Sequence, residues 1–299
     1  MISPVKLNFI IPGVARCGTT SMYYYLNQHP EIEFLKLKEP KFFSSFGKKF
    51  PHTGPGDYFV DKQTIRSYKN YNKLFSGLNL NKCIGEASSD YFYFHKHTIS
   101  KLKQAFGKEL KIIICIRNPV ERAFSAYNNL IRDSREDLSF ENALEAEHHR
   151  INENFDWMWY YTFGSFYYDG IKAFKENFDK VKIILNDDLS KHPKKTVIEI
   201  FEFLNVDTSF IPNTKDRYSI SGRPKGFLYA LISNRVWMTT LIRNGAINII
   251  PRKYLERIAK KMFKKEELNQ EIENKLINLF KEDIIKTQNL IDKDLSHWL

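Results

Sequence analysis

Gly13 and Gly18 bracket a short loop, Gly13-Val-Ala-Arg-Cys-Gly-Thr-Thr20, that carries one cation, Arg16, and two hydroxyls, Thr19 and Thr20. The apolar run Leu7 to Pro12 leads into this loop. Ser21-Met-Tyr-Tyr-Tyr-Leu26 leads out of it with helical apolar spacing. A strand, a glycine loop and a helix start in that order make an anion cradle, because backbone N–H groups and the helix dipole face an incoming phosphate. The spacing GxxxxGK[ST] of nucleoside triphosphatases would place Lys at position 19, where this chain has Thr19. The loop therefore suits phosphate but lacks the lysine that reaches the β- and γ-phosphates. A glycine turn without a ligand has the same composition, so the loop alone leaves both readings open.

A second candidate for anion binding follows the run Ile112 to Ile116, in Arg117-Asn-Pro-Val-Glu-Arg122-Ala-Phe-Ser125-Ala-Tyr127. Pro119 stands where a helix starts, at the position that suits its fixed φ and missing N–H. Arg117 and Ser125 then project near the end of a buried strand. A strand-end ion pair and a buried helix hydroxyl are the structural alternative.

The elements that must position these residues alternate along the chain. Strand-like runs lie at Leu7–Pro12, Ile32–Leu35, Lys82–Gly85, Leu110–Ile116 and Val181–Leu185. Helical spacing marks Ser21–Asn27, Ile65–Phe75, Ile99–Phe106, Val120–Arg132, Phe166–Phe178 and Thr196–Leu204. That alternation predicts an α/β fold with a central parallel sheet flanked by helices. Glycines and prolines between Phe43 and Asp61 predict a long loop, and Asn213 to Gly226 reads as another. Beyond it the chain reads as a helical, basic tail.

The 299 residues, 42% apolar, are enough for a sizeable core, and the net charge of +11 favours an anionic partner. No nucleic-acid reading motif accompanies that charge. Three cysteines are too few for a disulfide framework. Cys83 and Cys115 read as buried thiols, and Cys17 as a small loop residue rather than a nucleophile. No apolar run reaches the 18 or so residues of a membrane span. The first strand begins too soon for a signal peptide, so a cytoplasmic location is expected. The adjacent His148 and His149 cannot face one ligand from a helix, so no metal site is expected. The aromatic run Phe155 to Phe163 fits core packing and a ligand cleft equally well.

Taken together, the two anion blocks resemble the sulfotransferase superfamily, which uses 3′-phosphoadenosine 5′-phosphosulfate (PAPS), and most closely its glycan and bacterial branches. Arg16-Cys-Gly-Thr-Thr20 is similar to the family's K/R-x-G-T-T loop, which binds the 5′-phosphosulfate. Arg117 to Tyr127 is similar to the R-[ND]-P and R-A-x-S-x-Y block, which binds the 3′-phosphate. Lys38-Glu-Pro-Lys-Phe-Phe43 resembles the segment whose Glu is the catalytic base. Gly85-Glu-Ala-Ser-Ser-Asp-Tyr-Phe92 resembles G-E-K-[ST]-x-x-Y-F, and Asn186 to Leu189 resembles the late core strand and helix. Ser221-Gly-Arg-Pro-Lys-Gly226 resembles the basic loop over the cofactor.

The resemblance implies a P-loop-like three-layer fold over the whole chain as one domain, with its core at about 6–230 and a helical tail at about 231–299. It implies PAPS bound by Arg16, Cys17, Gly18, Thr19, Thr20, Arg117, Ser125, Arg223 and Lys225. Glu39 becomes the base, and Glu86 a rival base or a substrate contact. The acceptor is then a hydroxyl or amine, expected on a saccharide that is acidic or lipid-linked, with peripheral membrane contact in the second case. Two departures stand out. Arg16 replaces the lysine of most glycan enzymes, and Ala87 stands where they carry Lys. Lys41, where some relatives place His, is the candidate for the missing cation. Transfer of a singly charged sulfuryl group can be served by Arg and Lys without a metal, which accounts for Arg16 with no lysine at position 19. A P-loop kinase or nucleoside triphosphatase, and a non-enzymatic polyanion binder, are the alternatives.

Overall fold

Phe9–Gly13 form β1, a β-prone stretch buried along its whole length. Continuous burial of this kind marks a strand inside a parallel sheet covered on both faces. In chain order there follow helix α1 (Thr19–Leu26), β2 (Ile32–Phe34), α2 (Phe42–Ser45), α3 (Asp57–Gln63), α4 (Tyr68–Asn72), β3 (Cys83–Ala87) and α5 (His95–Phe106). Next come β4 (Lys111–Ile116), α6 (Pro119–Arg132), α7 (Phe140–Asn152), α8 (Tyr168–Asn177), β5 (Val181–Leu185), α9 (Asn186–Lys191) and α10 (Pro193–Leu204). The structure, a computed structural model, describes residues 6–215 and 268–299. It also gives the backbone of two short antiparallel strands, β6 (Arg223–Pro224) and β7 (Phe263–Lys264). The last helix is α11 (Gln270–Ile291).

The five strands β1 to β5 form one sheet in the order β2-β3-β1-β4-β5, with every pairing parallel. Phe9 of β1 stands in register with Gly85 of β3 on one side and Lys111 of β4 on the other. The chain winds outward in opposite directions from β1, so the crevice beyond its C-terminal end is where such sheets bind ligands. Gly13 and its loop emerge there. Helices flank this sheet, as expected: α1 packs against α10, while α5, α8, α11 and α6 pack in a row. The core runs from Phe9, Ile10 and Ile11 through Ile112–Ile116 to Phe280 and Ile284 of α11.

The segment 43–61 is more ordered than its glycines and prolines suggest. The chain runs through α2 and then starts α3 from Gly56, which adopts a left-handed φ of 75°. The helix expected at Ile65–Phe75 is shorter, because the Ser67 side chain accepts from Asn70 N–H and caps α4 there. α9 begins directly at the end of β5, with no turn residues to announce it. The described part of the tail is not basic. In α11, Lys275, Lys281 and Lys286 are offset by Glu271, Glu273, Glu282 and Asp283, and the helix buries Leu276, Phe280 and Ile284. Among the described residues no helix is long and apolar enough to cross a membrane.

Candidate active site

The loop between β1 and α1 turns into the helix at Gly18, whose φ is 94°. A Cβ there would lie 2.7 Å from Asn186 Nδ2 and 3.0 Å from Leu189 Cδ2, so the turn needs glycine for its conformation and for its close approach to α9. The first N–H groups of α1, from Thr19 onward, have no acceptor within the helix and face the crevice. A cavity of about 370 Å³ opens here. Arg16, Gly18, Thr19, Thr20, Ser21 and Tyr25 form one wall, and Arg117 and Ser125 form a second. Asn186, Leu189, Ser190 and Pro193 form a third, and Thr214 and Lys215 border it as well.

Arg16 ties two of these walls together. Its Nε donates to Ser125 Oγ at 3.2 Å and its Nη1 to Asn129 Oδ1 at 2.9 Å, both on α6. Burial, followed by repulsion from Arg132, Arg122 and Arg117, lowers its pKa to about 10. The group stays charged at neutral pH, and the concentration of arginines makes the cavity a strong anion site. Arg117 pairs with Glu121 one turn into α6 at 2.7 Å, and Asn118 caps that helix by accepting from Val120 and Glu121 N–H. Arg122 is buried beneath the loop. It donates to the carbonyls of Ala15, Tyr160 and Tyr161 and to the Tyr93 hydroxyl, bracing the loop against the aromatic segment.

Cys17 does not line the cavity. Its side chain is fully buried, with Sγ 3.8 Å from the Tyr167 hydroxyl, and its N–H donates to Val14 O. Burial pushes the thiol up to about 11, so it is neither nucleophile nor anion contact. Arg223 lies in β6, whose side chains fall outside the described residues, as does Lys225 altogether.

Glu39 reaches the same end of the sheet. Its N–H donates to Ala87 O at 2.9 Å. Its carboxylate accepts from Ser89 N–H at 2.8 Å, from Ser89 Oγ at 2.7 Å and from Lys38 Nζ at 3.2 Å. Ser89 Oγ is in turn 3.4 Å from Thr19 Oγ1 in the loop. Lys41 is buried nearby with its ammonium 6.0 Å from the centre of the Trp157 ring, and no carboxylate pairs with it among the described residues. Glu86, next to these residues in β3, points into the protein instead. It is fully buried, accepting from Tyr71 OH at 2.6 Å and Ser88 Oγ at 3.1 Å, which leaves the expected substrate contact without access.

Backbone strain marks the same place. Arg16, Glu39 and Lys41 adopt φ of 72°, 62° and 56°. Long side chains rarely take that conformation, which costs of the order of 1–3 kcal/mol per residue and collects at functional sites. Among the described residues, the other non-glycine positions with positive φ are Ser134, Asn154, Asn205 and Asp292, short polar residues for which local hydrogen bonding eases the cost.

A family model described as the sulfotransferase domain matches residues 7–219. The chain belongs to the sulfotransferase family. A sulfotransferase from Alicyclobacillus acidocaldarius, known from a crystal structure, has 32% identity and a TM-score of 0.79, with 98% of each chain covered. The membrane-associated sulfotransferase kil1 of Dictyostelium discoideum is 31% identical over 121 residues, which cover 40% of this chain and 22% of that protein. Carbohydrate sulfotransferase 15 of Mus musculus is 31% identical over 150 residues, covering 40% of this chain and 26% of that one. The chain thus matches about a quarter of the length of those two relatives.

Several residues of this sulfotransferase site carry no sequence signal. Asn129 sits on α6 one turn beyond Ser125, and only its hydrogen bond to Arg16 distinguishes it from the adjacent Asn128. Lys215 comes to the cavity from the segment beyond α10. Ser89 is an ordinary serine until Glu39 folds against it.

Proposed function

We propose that this sulfotransferase moves a sulfuryl group from PAPS to a hydroxyl or amine acceptor on a saccharide, by in-line transfer with Glu39 as general base. The observation that carries this reading is the convergence of a caged anion cavity and a carboxylate at one sheet edge, joined through Thr19 and Ser89. The N–H groups opening α1, with Arg16, Thr19 and Thr20, take the 5′-phosphosulfate. Arg117 and Ser125 take the 3′-phosphate. Glu39 accepts the acceptor's proton as its oxygen or nitrogen bonds to sulfur. The S–O bond to the 5′-phosphate then breaks, and the charge left on that phosphate is taken up by Arg16 and the helix N–H groups. Lys41, buried without a carboxylate partner, supplies the cation on the acceptor side where Ala87 has none. The carbohydrate sulfotransferase among the relatives supports a saccharide acceptor. The packing of α11 into the core supports a single catalytic domain that includes the C-terminal segment.

The test is incubation with labelled PAPS and a panel of polysaccharides, glycolipids and small alcohols, with calorimetry of 3′-phosphoadenosine 5′-phosphate (PAP) binding. Transfer to one class of the panel, and PAP binding that needs no added Mg²⁺, are expected. Absence of both overturns the reading. Glu39→Gln is expected to abolish transfer while leaving PAP affinity within about twofold, as befits a group that acts on the acceptor's proton.

A further inference from the structure

Ser89 grips Glu39 with two donors at once. Its N–H points at Oε2, 2.8 Å away, and its hydroxyl at Oε1, 2.7 Å away. A carboxylate held at both oxygens cannot rotate about its last torsion, so its remaining lone pairs face one fixed direction. The grip is itself anchored. Ser88 N–H donates to Ile11 O at 3.1 Å and Phe92 N–H to Pro12 O at 2.8 Å, lacing the turn that contains Ser89 onto the strand that leads into the donor loop. Ser89 is nearly buried, and its hydroxyl, having given its proton to Glu39, still has lone pairs to accept from Thr19 Oγ1 at 3.4 Å. Glu39 meanwhile sits on a backbone with φ of 62°, a conformation that persists only where surrounding contacts hold it.

We propose that Ser89 is the positioning residue of the reaction. It fixes the Glu39 carboxylate relative to the donor loop, so that base and sulfuryl donor are placed by one rigid turn and not by two independent loops. This rests on Glu39 as the base. Ser89 touches neither acceptor nor donor; it acts through Glu39 and Thr19. Its hydroxyl is the part that matters, because any residue other than proline at position 89 would supply the N–H.

Ser89→Ala, Ser89→Thr and Glu39→Gln decide this, each compared with the native chain for thermal stability, PAP affinity, turnover on the best acceptor of the panel, and crystal structure with PAP. Ser89→Ala is expected to lower kcat by about 10- to 100-fold, the scale of a misplaced catalytic group, with donor KM and PAP affinity within about twofold. Ser89→Thr, which keeps the hydroxyl, is expected to recover most of the rate. In the Ser89→Ala crystal structure the Glu39 carboxylate is expected to swing toward Lys38. Native turnover in Ser89→Ala, while Glu39→Gln is inactive, overturns the positioning role alone. A Glu39 carboxylate unmoved in that crystal structure overturns it whether or not any acceptor of the panel reacts. Native turnover in Glu39→Gln overturns the base assignment, whatever Ser89 does.

Discussion

Asn129 Oδ1 accepts from Arg16 Nη1 at 2.9 Å across 113 residues of sequence. With Ser125 on the same helix, it holds the loop's one cation between the α1 N-terminus and Arg117. The guanidinium is therefore oriented before any anion arrives, which spares the ordering cost at binding.

Asn129→Ala is expected to weaken PAP binding by about tenfold, the scale of one hydrogen bond to a charged group. Arg16→Ala is expected to lose much more, because charge and fork go together. Arg16→Lys keeps the charge but cannot span Ser125 and Asn129 at once, so it should fall between the two. Calorimetric titration with PAP ranks the three variants. Equal affinity in Asn129→Ala and the native chain would show that the contact does not pre-orient the cation.

Glu86 leads to a prediction about pH. Burial outweighs the hydrogen bonds from Tyr71, Tyr91 and Ser88 and raises its pKa from 4.5 to about 7. The native state thus binds this proton more tightly than the unfolded chain does. The stabilisation is complete below the unfolded value, is lost as pH rises from about 4.5 to about 7, and changes no further above that. The shift corresponds to something on the order of 3 kcal/mol. Glu86→Gln removes the charge and keeps the volume, and the Tyr71 and Tyr91 hydroxyls are able to accept from its amide. The melting temperature of Glu86→Gln relative to the native chain should therefore rise with pH between about 5 and 7 and level off above. A difference that stays flat across that range would contradict the buried, raised carboxyl.

Much of this architecture was legible in the residues themselves, for physical reasons. The strand expected at Val181–Leu185 is β5 to the residue, although it lies at the sheet's edge and is only partly buried, because Val181, Ile183 and Ile184 are β-branched residues that suit a pleated strand on their own. The anion loop and the start of α6 were legible because glycine and proline act through their own backbone. Asn129 and Ser89 were not, since each is defined by a partner that only folding brings near. Glu86 was misleading in a specific way. Its place at a strand end suggested a cleft, but whether a side chain there meets solvent depends on the cover, and Tyr71 of α4 closes it off. The surplus of Lys and Arg in the tail lies ahead of α11 and not in that helix, whose charges balance toward the acidic side.

Gly18→Ala tests how tightly the loop is built. The substitution adds a methyl at φ of 94°, within 2.7 Å of Asn186 Nδ2 and 3.0 Å of Leu189 Cδ2. Left-handed strain costs about 1–2 kcal/mol, and the clash with α9 adds to it. The methyl also pushes the α1 N–H groups away from the cavity. The expected outcome is a melting temperature lower by several degrees together with loss of measurable PAP binding. Binding retained at native affinity would mean that the loop tolerates displacement and is not a shaped cradle.

The C-terminal segment supports that loop from beneath. α8 has no capping side chain of its own at Tyr167. Asp283 of α11 supplies one from a distant part of the chain, accepting from Tyr167 N–H at 2.8 Å and Tyr168 N–H at 3.1 Å. Burial raises the pKa of this carboxyl, with the two N–H bonds opposing. Tyr167 in turn places its hydroxyl 3.8 Å from Cys17 Sγ, under the donor loop. Asp283→Ala leaves two helix-opening N–H groups without their acceptor and should cost about 1–3 kcal/mol of stability. Asp283→Asn keeps one carbonyl acceptor and should cost less. Urea denaturation gives the order. If the cap also steadies the loop, Cys17, protected in the native chain, should be labelled by a thiol reagent faster in Asp283→Ala than in Asp283→Asn, under conditions where both remain folded. Equal labelling rates would confine the effect of Asp283 to the helix it caps.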